Sequence, residues 1–159
     1  LDNFELEVDG GYQIHDPLNG SKLSSGYFSK TTQLEPKHTG IKWGEEFVGT
    51  YQLHIKPNQN GAITINGDKY FGDLLVYQDN DKLHVINRVN IEDAVRIILT
   101  STINEIIPNE LIRSLAILAR TRLYQKRSDQ DSHNFYDTYA KTIGYTGQYS
   151  LNINTNIEN

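Results

Sequence analysis

The apolar residues of this chain change period at Asn90, and that change limits what the chain can fold into. Before it, short alternating runs are separated by Asp9-Gly10-Gly11, Asn19-Gly20, Asn60-Gly61, Asn66-Gly67 and Asp79-Asn80-Asp81. Asn-Gly and Asp-Gly pairs supply the positive φ that tight hairpins require. Between these turns lie Tyr51–Ile55, Ala62–Ile65, Leu74–Tyr77 and Leu83–Ile86, which combine alternation with β-branched side chains. Residues 1–89 therefore read as an antiparallel β-hairpin module.

From Asn90 onward the repeat is helical. Asn90 can cap Ile91-Glu92-Asp93, with Asp93 at the reciprocal position of a capping box and both acids facing the helix dipole. Ile91, Val95, Ile98 and Leu99 share one face. Thr100 to Ile107 reads as a break. Pro108 suits the first turn of a second helix, with Glu110 near its positive end. Leu111, Leu115, Leu118 and Leu123 are its expected inward residues, with Ile112, Ala116 and Ala119 beside them. Arg113, Arg120, Arg122, Lys126 and Arg127 give it basic edges and a basic end. The expected fold class is α+β: an antiparallel β-hairpin module, two packed helices over 90–127, and a turn-rich segment over 128–159, in a single domain. Turns are expected at Gly144 and Gly147.

Composition narrows the partners. A hydrophobic share of 37%, a charged share of 22% and a mean hydropathy of -0.55 describe a soluble globular chain of 159 residues, long enough to bury a core. No apolar run approaches a bilayer span, so no transmembrane segment is expected. The net charge of -5 argues against nucleic acid, whose binding depends on neutralising phosphates. With no cysteine, disulfides, thiolate metal sites and thiol nucleophiles are excluded. His15, His38, His54, His84 and His133 show no ligand spacing, and neither a metal nor another cofactor is expected. The chain opens on Leu1 rather than Met, as a polypeptide trimmed upstream would.

Asn87-Arg88, Glu92-Asp93, Arg96, Pro108, Glu110 and Ala119-Arg120-Thr121 fall, without a gap, on the pattern N-R-x-P-L-E-D-Y-L-R-G-V-V-P-S-E-M-P followed by W-P-x-E-A-L-K-A-Q-A-V-A-A-R-T. Upstream, Asn66-Gly67 and Tyr70-Phe71-Gly72-Asp73-Leu74 match N-G and Y-R-G-x-L. The chain thus resembles the SpoIID/LytB family of bacterial cell-wall remodelling, over about residues 50 to 125. The resemblance implies a lytic transglycosylase that cuts peptidoglycan glycan strands. One carboxylic acid protonates the glycosidic oxygen, and it must hold its proton near neutral pH. In this register the acid position is Thr102, whose hydroxyl cannot perform that step. Family members continue beyond the point where this chain ends, so the family domain is expected to be incomplete here.

Glu105, one turn further on, is the candidate for a relocated acid; its plainer role is a solvated loop glutamate. Active relatives also carry an H-C-Q-like element before Tyr-x-Gly, some of them binding zinc through it. Here Lys141 and Thr142 stand where those ligands would be, while Tyr145 and Gly147 remain. For substrate binding the resemblance implies Thr102, Arg113, Arg120 and Tyr145. Arginine can donate to sugar and lactyl carboxylate oxygens in forked geometry. Arg120 could instead pair internally with Glu92, Asp93 or Glu110, and Arg113 could face solvent. Trp43 and Tyr145 are candidate stacking platforms or packing residues.

Three functions follow as expectations: a SpoIID-like cell-wall protein that binds peptidoglycan glycan strands with impaired catalysis; an active glycan lyase using Glu105; and a non-catalytic interaction domain, with a cell-wall hydrolase such as an amidase as partner. All three place the chain outside the cytoplasmic membrane.

Overall fold

The computed structural model describes residues 1–26, 31–58, 61–103, 105–125 and 144–147. The chain divides into two compact units, Leu1–Val89 and Asn90–Asn159, and the boundary falls where the apolar period changes.

The described residues of the first unit form β1 (Phe4–Val8), β2 (Tyr12–His15), β3 (Lys22–Gly26), β4 (Thr32–Lys37), β5 (Gly40–Trp43) and β6 (Glu45–Val48). They continue as β7 (Gln52–Pro57), β8 (Ile63–Ile65), β9 (Asp68–Tyr70), β10 (Asp73–Asp79) and β11 (Lys82–Arg88). Hairpins are dealt out between two antiparallel sheets, ordered β6-β5-β4-β1-β8-β9 and β11-β10-β7-β2-β3. Leu1 adds to the edge of the second sheet: its amine donates to the Leu83 carbonyl at 2.9 Å, and the Leu83 N–H donates back at 2.7 Å.

Alternation explains the core. On β1, Phe4, Leu6 and Val8 are buried while Glu5 is exposed. Both sheets feed one cluster, in which Leu6, Leu34, Ile41 and Ile63 of the first meet Ile14, Leu53, Ile55 and Leu74 of the second. Each such side chain contributes about 1.5–3 kcal/mol by leaving water, so the sandwich is where most of the burial energy of the described residues lies.

Two of the turns act as their chemistry predicts. Asn66 and Gly67 join β8 to β9 with φ of 49° and 90°. Asn80 and Asp81 join β10 to β11 with φ of 47° and 61°, the same two-residue turn without a glycine. The expected strands are present with shifted ends: Leu74–Tyr77 lies within β10 and Leu83–Ile86 within β11, while β7 leaves out Tyr51 and runs on to Pro57, and β8 is shorter than expected, leaving out Ala62. Asn60 lies outside the described residues.

In the second unit, α1 spans Ile91–Thr102 and α2 spans Asn109–Gln125. The Asn90 side chain accepts from the Glu92 N–H at 2.9 Å, capping α1. The helix runs through Thr102, so the break begins later than Thr100. It ends at Ile103, whose N–H reaches the Leu99 carbonyl. The Pro108 carbonyl accepts from the N–H groups of Leu111 and Ile112 and opens α2.

Val95, Leu99 and Ile103 are buried against Ile107, Leu115, Ala116, Ala119 and Leu123. Two expected inward residues do not belong to this set: Leu111 is 46% and Leu118 62% exposed. Since α2 carries apolar residues on most of its circumference, its period alone does not choose the packed face. The turn-rich segment enters the described residues only at 144–147; Lys126 and Arg127 lie outside them.

Candidate functional site

The C-terminal end of α1 holds the position where the family pattern has its acid. Its last carbonyls have no helical donor to receive, and hydroxyls occupy that end. The Thr102 hydroxyl donates to the Ile98 carbonyl at 2.7 Å, and the Ser101 hydroxyl lies 2.9 Å from the same oxygen. Ser101 also lies 3.0 Å from the Gly144 carbonyl, which ties residues 144–147 to this helix end. Gly144 and Gly147 hold φ of 75° and 89°, and Tyr145 between them is half-buried. Thr102 and Ser101 thus share one helix end, and the Ser101 contact brings Gly144, the neighbour of Tyr145 in the chain, to it.

Thr102 is exposed, and its proton is directed into the helix backbone. A threonine bonded in this way has neither the acidity nor the free proton for glycosidic cleavage. Glu105 is exposed at the bend after α1. Asn104, Lys141 and Thr142 lie outside the described residues.

Among the internal partners considered for Arg120, the side chain meets Glu92. Its Nε donates to Oε1 at 2.8 Å and its Nη2 to Oε2 at 2.6 Å, a two-pronged bond that joins α2 to α1. This bond, and then the charge of Arg120, lower the Glu92 carboxyl below its ordinary range. Arg113 is exposed on the same helix. Of the two arginines in the basic pattern, Arg113 faces solvent and Arg120 closes an ion pair.

The other candidates lie in the first unit. Trp43 is only 4% exposed and tilts against Tyr12, ring centroids 5.0 Å apart, so it packs and offers no platform for a sugar. His54 is buried, and its Nε2 lies 2.9 Å from Asp73 Oδ2. His84 stacks on Tyr77. His133 lies outside the described residues, among which no group of three or more His, Cys, Asp or Glu residues could hold a metal.

The upstream motif residues prove to be architectural. Asn87 Nδ2 donates to the carbonyls of Phe71 at 2.8 Å and Asp73 at 3.1 Å, bracketing Gly72. Gly72 has φ of 88°, and a Cβ there would sit 2.3 Å from the Arg88 carbonyl oxygen. Ser101 is the residue that sequence reasoning missed. Its signal was the serine that precedes the acid in the family pattern, directly before Thr102 in this chain.

These features define a protein with a β-sandwich unit followed by a two-helix unit whose first helix ends in a hydroxyl-lined loop site. The SpoIID family, described as stage II sporulation protein, matches residues 79–159, and the chain belongs to it. Membership gives it a cell-wall-related function at the level of the family. The match runs on past Ala119-Arg120-Thr121 through the carboxyl-terminal stretch.

The chain is also similar to an uncharacterized protein of Chlamydia pneumoniae, 31% identical over 144 residues, covering 89% of this chain and 52% of that one. An uncharacterized protein of Brachyspira hyodysenteriae is 27% identical over 151 residues, covering 94% of this chain and 40% of its own length. One from Chlamydia muridarum is 28% identical over 144 residues, covering 89% and 50%. The chain thus spans about half the length of these relatives. No solved structure matches it. Among the described residues no helix is long and apolar enough to cross a membrane.

Proposed function

We propose that this chain is a cell-wall protein outside the cytoplasmic membrane, and that it binds peptidoglycan glycan strands without cleaving them. The observation that carries the reading is Thr102 at the family's acid position, with its hydroxyl donated to the Ile98 carbonyl. Binding would use the surface around Thr102 and Tyr145, with Arg113 available to carboxylate oxygens. Arg120 serves mainly to hold the helices together through Glu92. No cofactor enters this reading.

The test is incubation of purified protein with intact and peptide-stripped peptidoglycan, with mass spectrometry of the supernatant and quantitation of protein in the pellet. Pelleting without anhydro-muramic products is the expected result. Anhydro products that vanish in Glu105→Gln would overturn it in favour of a relocated acid. A second reading, a protein-interaction domain with a partner such as a cell-wall amidase, draws support from the exposed apolar residues Leu111, Ile117, Leu118 and Tyr124 on α2. It would gain if the protein neither pelleted with nor cleaved peptidoglycan, yet bound a purified cell-wall amidase.

A further inference from the structure

We infer that Ser101 is a positioning residue, a hydroxyl latch that holds the 144–147 loop, and with it Tyr145, beside Thr102 in the arrangement that takes ligand. The inference rests on the glycan-binding reading for the ligand, but the latch itself can be tested without one.

A serine hydroxyl has one proton to give. Ser101 Oγ lies 2.9 Å from the Ile98 carbonyl and 3.0 Å from the Gly144 carbonyl, so that proton is shared between two acceptors. The first contact is a helix back-bond, available to any serine in a final turn. The second reaches across 43 residues and would not exist unless the loop returned to this helix end. Its acceptor belongs to Gly144, whose φ of 75° is a conformation that a side chain would strain. Three residues later Gly147 is buried, with φ of 89°. The loop is therefore shaped at both glycines, and the Ser101 contact is a long-range anchor at its start.

The Ile98 carbonyl connects the two functions. It accepts from Thr102 and lies within bonding distance of Ser101, so the acid position and the loop anchor share one backbone oxygen. A change in where the Ser101 proton points alters the same acceptor that fixes the Thr102 rotamer. Removing the Ser101 hydroxyl should thus loosen the loop first and ligand contact second, while α1 keeps its cap and its Val95–Leu99 packing.

The experiment compares wild type with Ser101→Ala, Ser101→Thr and the control Ser114→Ala. Ser114 back-bonds to the Glu110 carbonyl in the same way but anchors no loop. Amide exchange at Gly144, Thr146 and Gly147 is read by NMR, and pelleting with peptide-stripped glycan is read beside it. Loss of one net hydrogen bond corresponds to about fivefold faster exchange at those amides in Ser101→Ala, with pelleting weakened by about the same factor. Ser101→Thr should restore both, and Ser114→Ala should change neither.

Exchange within about twofold of wild type in Ser101→Ala would overturn the latch. Faster exchange with unchanged pelleting would overturn its positioning role. If wild type does not pellet at all while exchange still rises in Ser101→Ala and recovers in Ser101→Thr, the latch stands and the glycan reading fails.

Discussion

Replacing Asn87 tests whether the matched motif is architectural, because both protons of its amide have named acceptors. Nδ2 carries two protons and places them on the Phe71 and Asp73 carbonyls at 2.8 and 3.1 Å, on either side of Gly72. Each such bond contributes about 0.5–1.5 kcal/mol net, so Asn87→Ala should destabilise the first unit by about 1–3 kcal/mol. Asn87→Asp makes a sharper test. An ionised carboxylate is an acceptor only, and it would face two carbonyl oxygens. Asp should therefore be worse than Ala at neutral pH. Facing two carbonyl oxygens, the carboxylate would be pushed above its ordinary range, so the extra penalty should shrink as the pH falls towards about 4, where the carboxyl has regained one donor proton. Urea unfolding followed by tryptophan fluorescence suits the measurement, since the single tryptophan, Trp43, lies in the sandwich core. With an m-value of about 2 kcal/mol/M, a loss near 2 kcal/mol moves the midpoint by about 1 M without changing the slope. An Asn87→Ala midpoint within about 0.2 M of wild type, or an Asp variant no worse than Ala at neutral pH, would refute the reasoning.

Thr102→Glu restores the family acid in place; because the residue is exposed, the variant should gain at most trace anhydro-product formation, and turnover comparable to an active relative would show that the rest of the catalytic site is intact. The Glu92–Arg120 bond lowers the carboxyl from its ordinary value near 4.5, so its contribution is complete above that pH and is lost as the pH falls through the lowered value. Helix melting by circular dichroism should separate wild type from Glu92→Gln at neutral pH and no longer do so at strongly acid pH. In the same unit, Leu99→Ala should cost about 2–4 kcal/mol, whereas Leu118→Ala, 62% exposed, should stay within about 0.5 kcal/mol. Equal costs would mean that α2 packs through a different face.

The first unit was legible where the code is local. Alternation on β1 and the Asn66-Gly67 and Asp79-Asn80-Asp81 turns each involve neighbours along the chain, and sterics fix their conformation. The assignment of hairpins to two sheets was not legible. β1 pairs with β4 and β8, partners distant in sequence, and nothing in the alternation names them. In the second unit the cap at Asn90 was readable from three residues, but the packed face of α2 was not. Leu111 and Leu118 repeat as regularly as Leu115 and Leu123, and only the position of α1 decides between them. The Arg120 alternatives were likewise open until Glu92 was placed opposite it. The role of Ser101 is not legible locally, because a serine in a final turn usually bonds only its own helix; its second acceptor is a carbonyl 43 residues away.

The motif positions that agree with the family pattern divide by physical role from those that do not. Asn87 holds two carbonyls, Gly72 admits a backbone that a Cβ would block, and Glu92 closes a two-pronged bond with Arg120. None of these jobs involves a substrate, and each is needed whether or not a glycan is cut. Thr102 departs from the pattern, and its position is the one whose family role is proton transfer. An acid kept protonated there would need desolvation around a polar group at a helix end, which costs stability unless hydrogen bonds compensate. Threonine removes that cost: its hydroxyl satisfies itself on the Ile98 carbonyl. Threonine at this position therefore suits order at the helix end. The Ser101 contact to Gly144 keeps the neighbouring loop tied to that end.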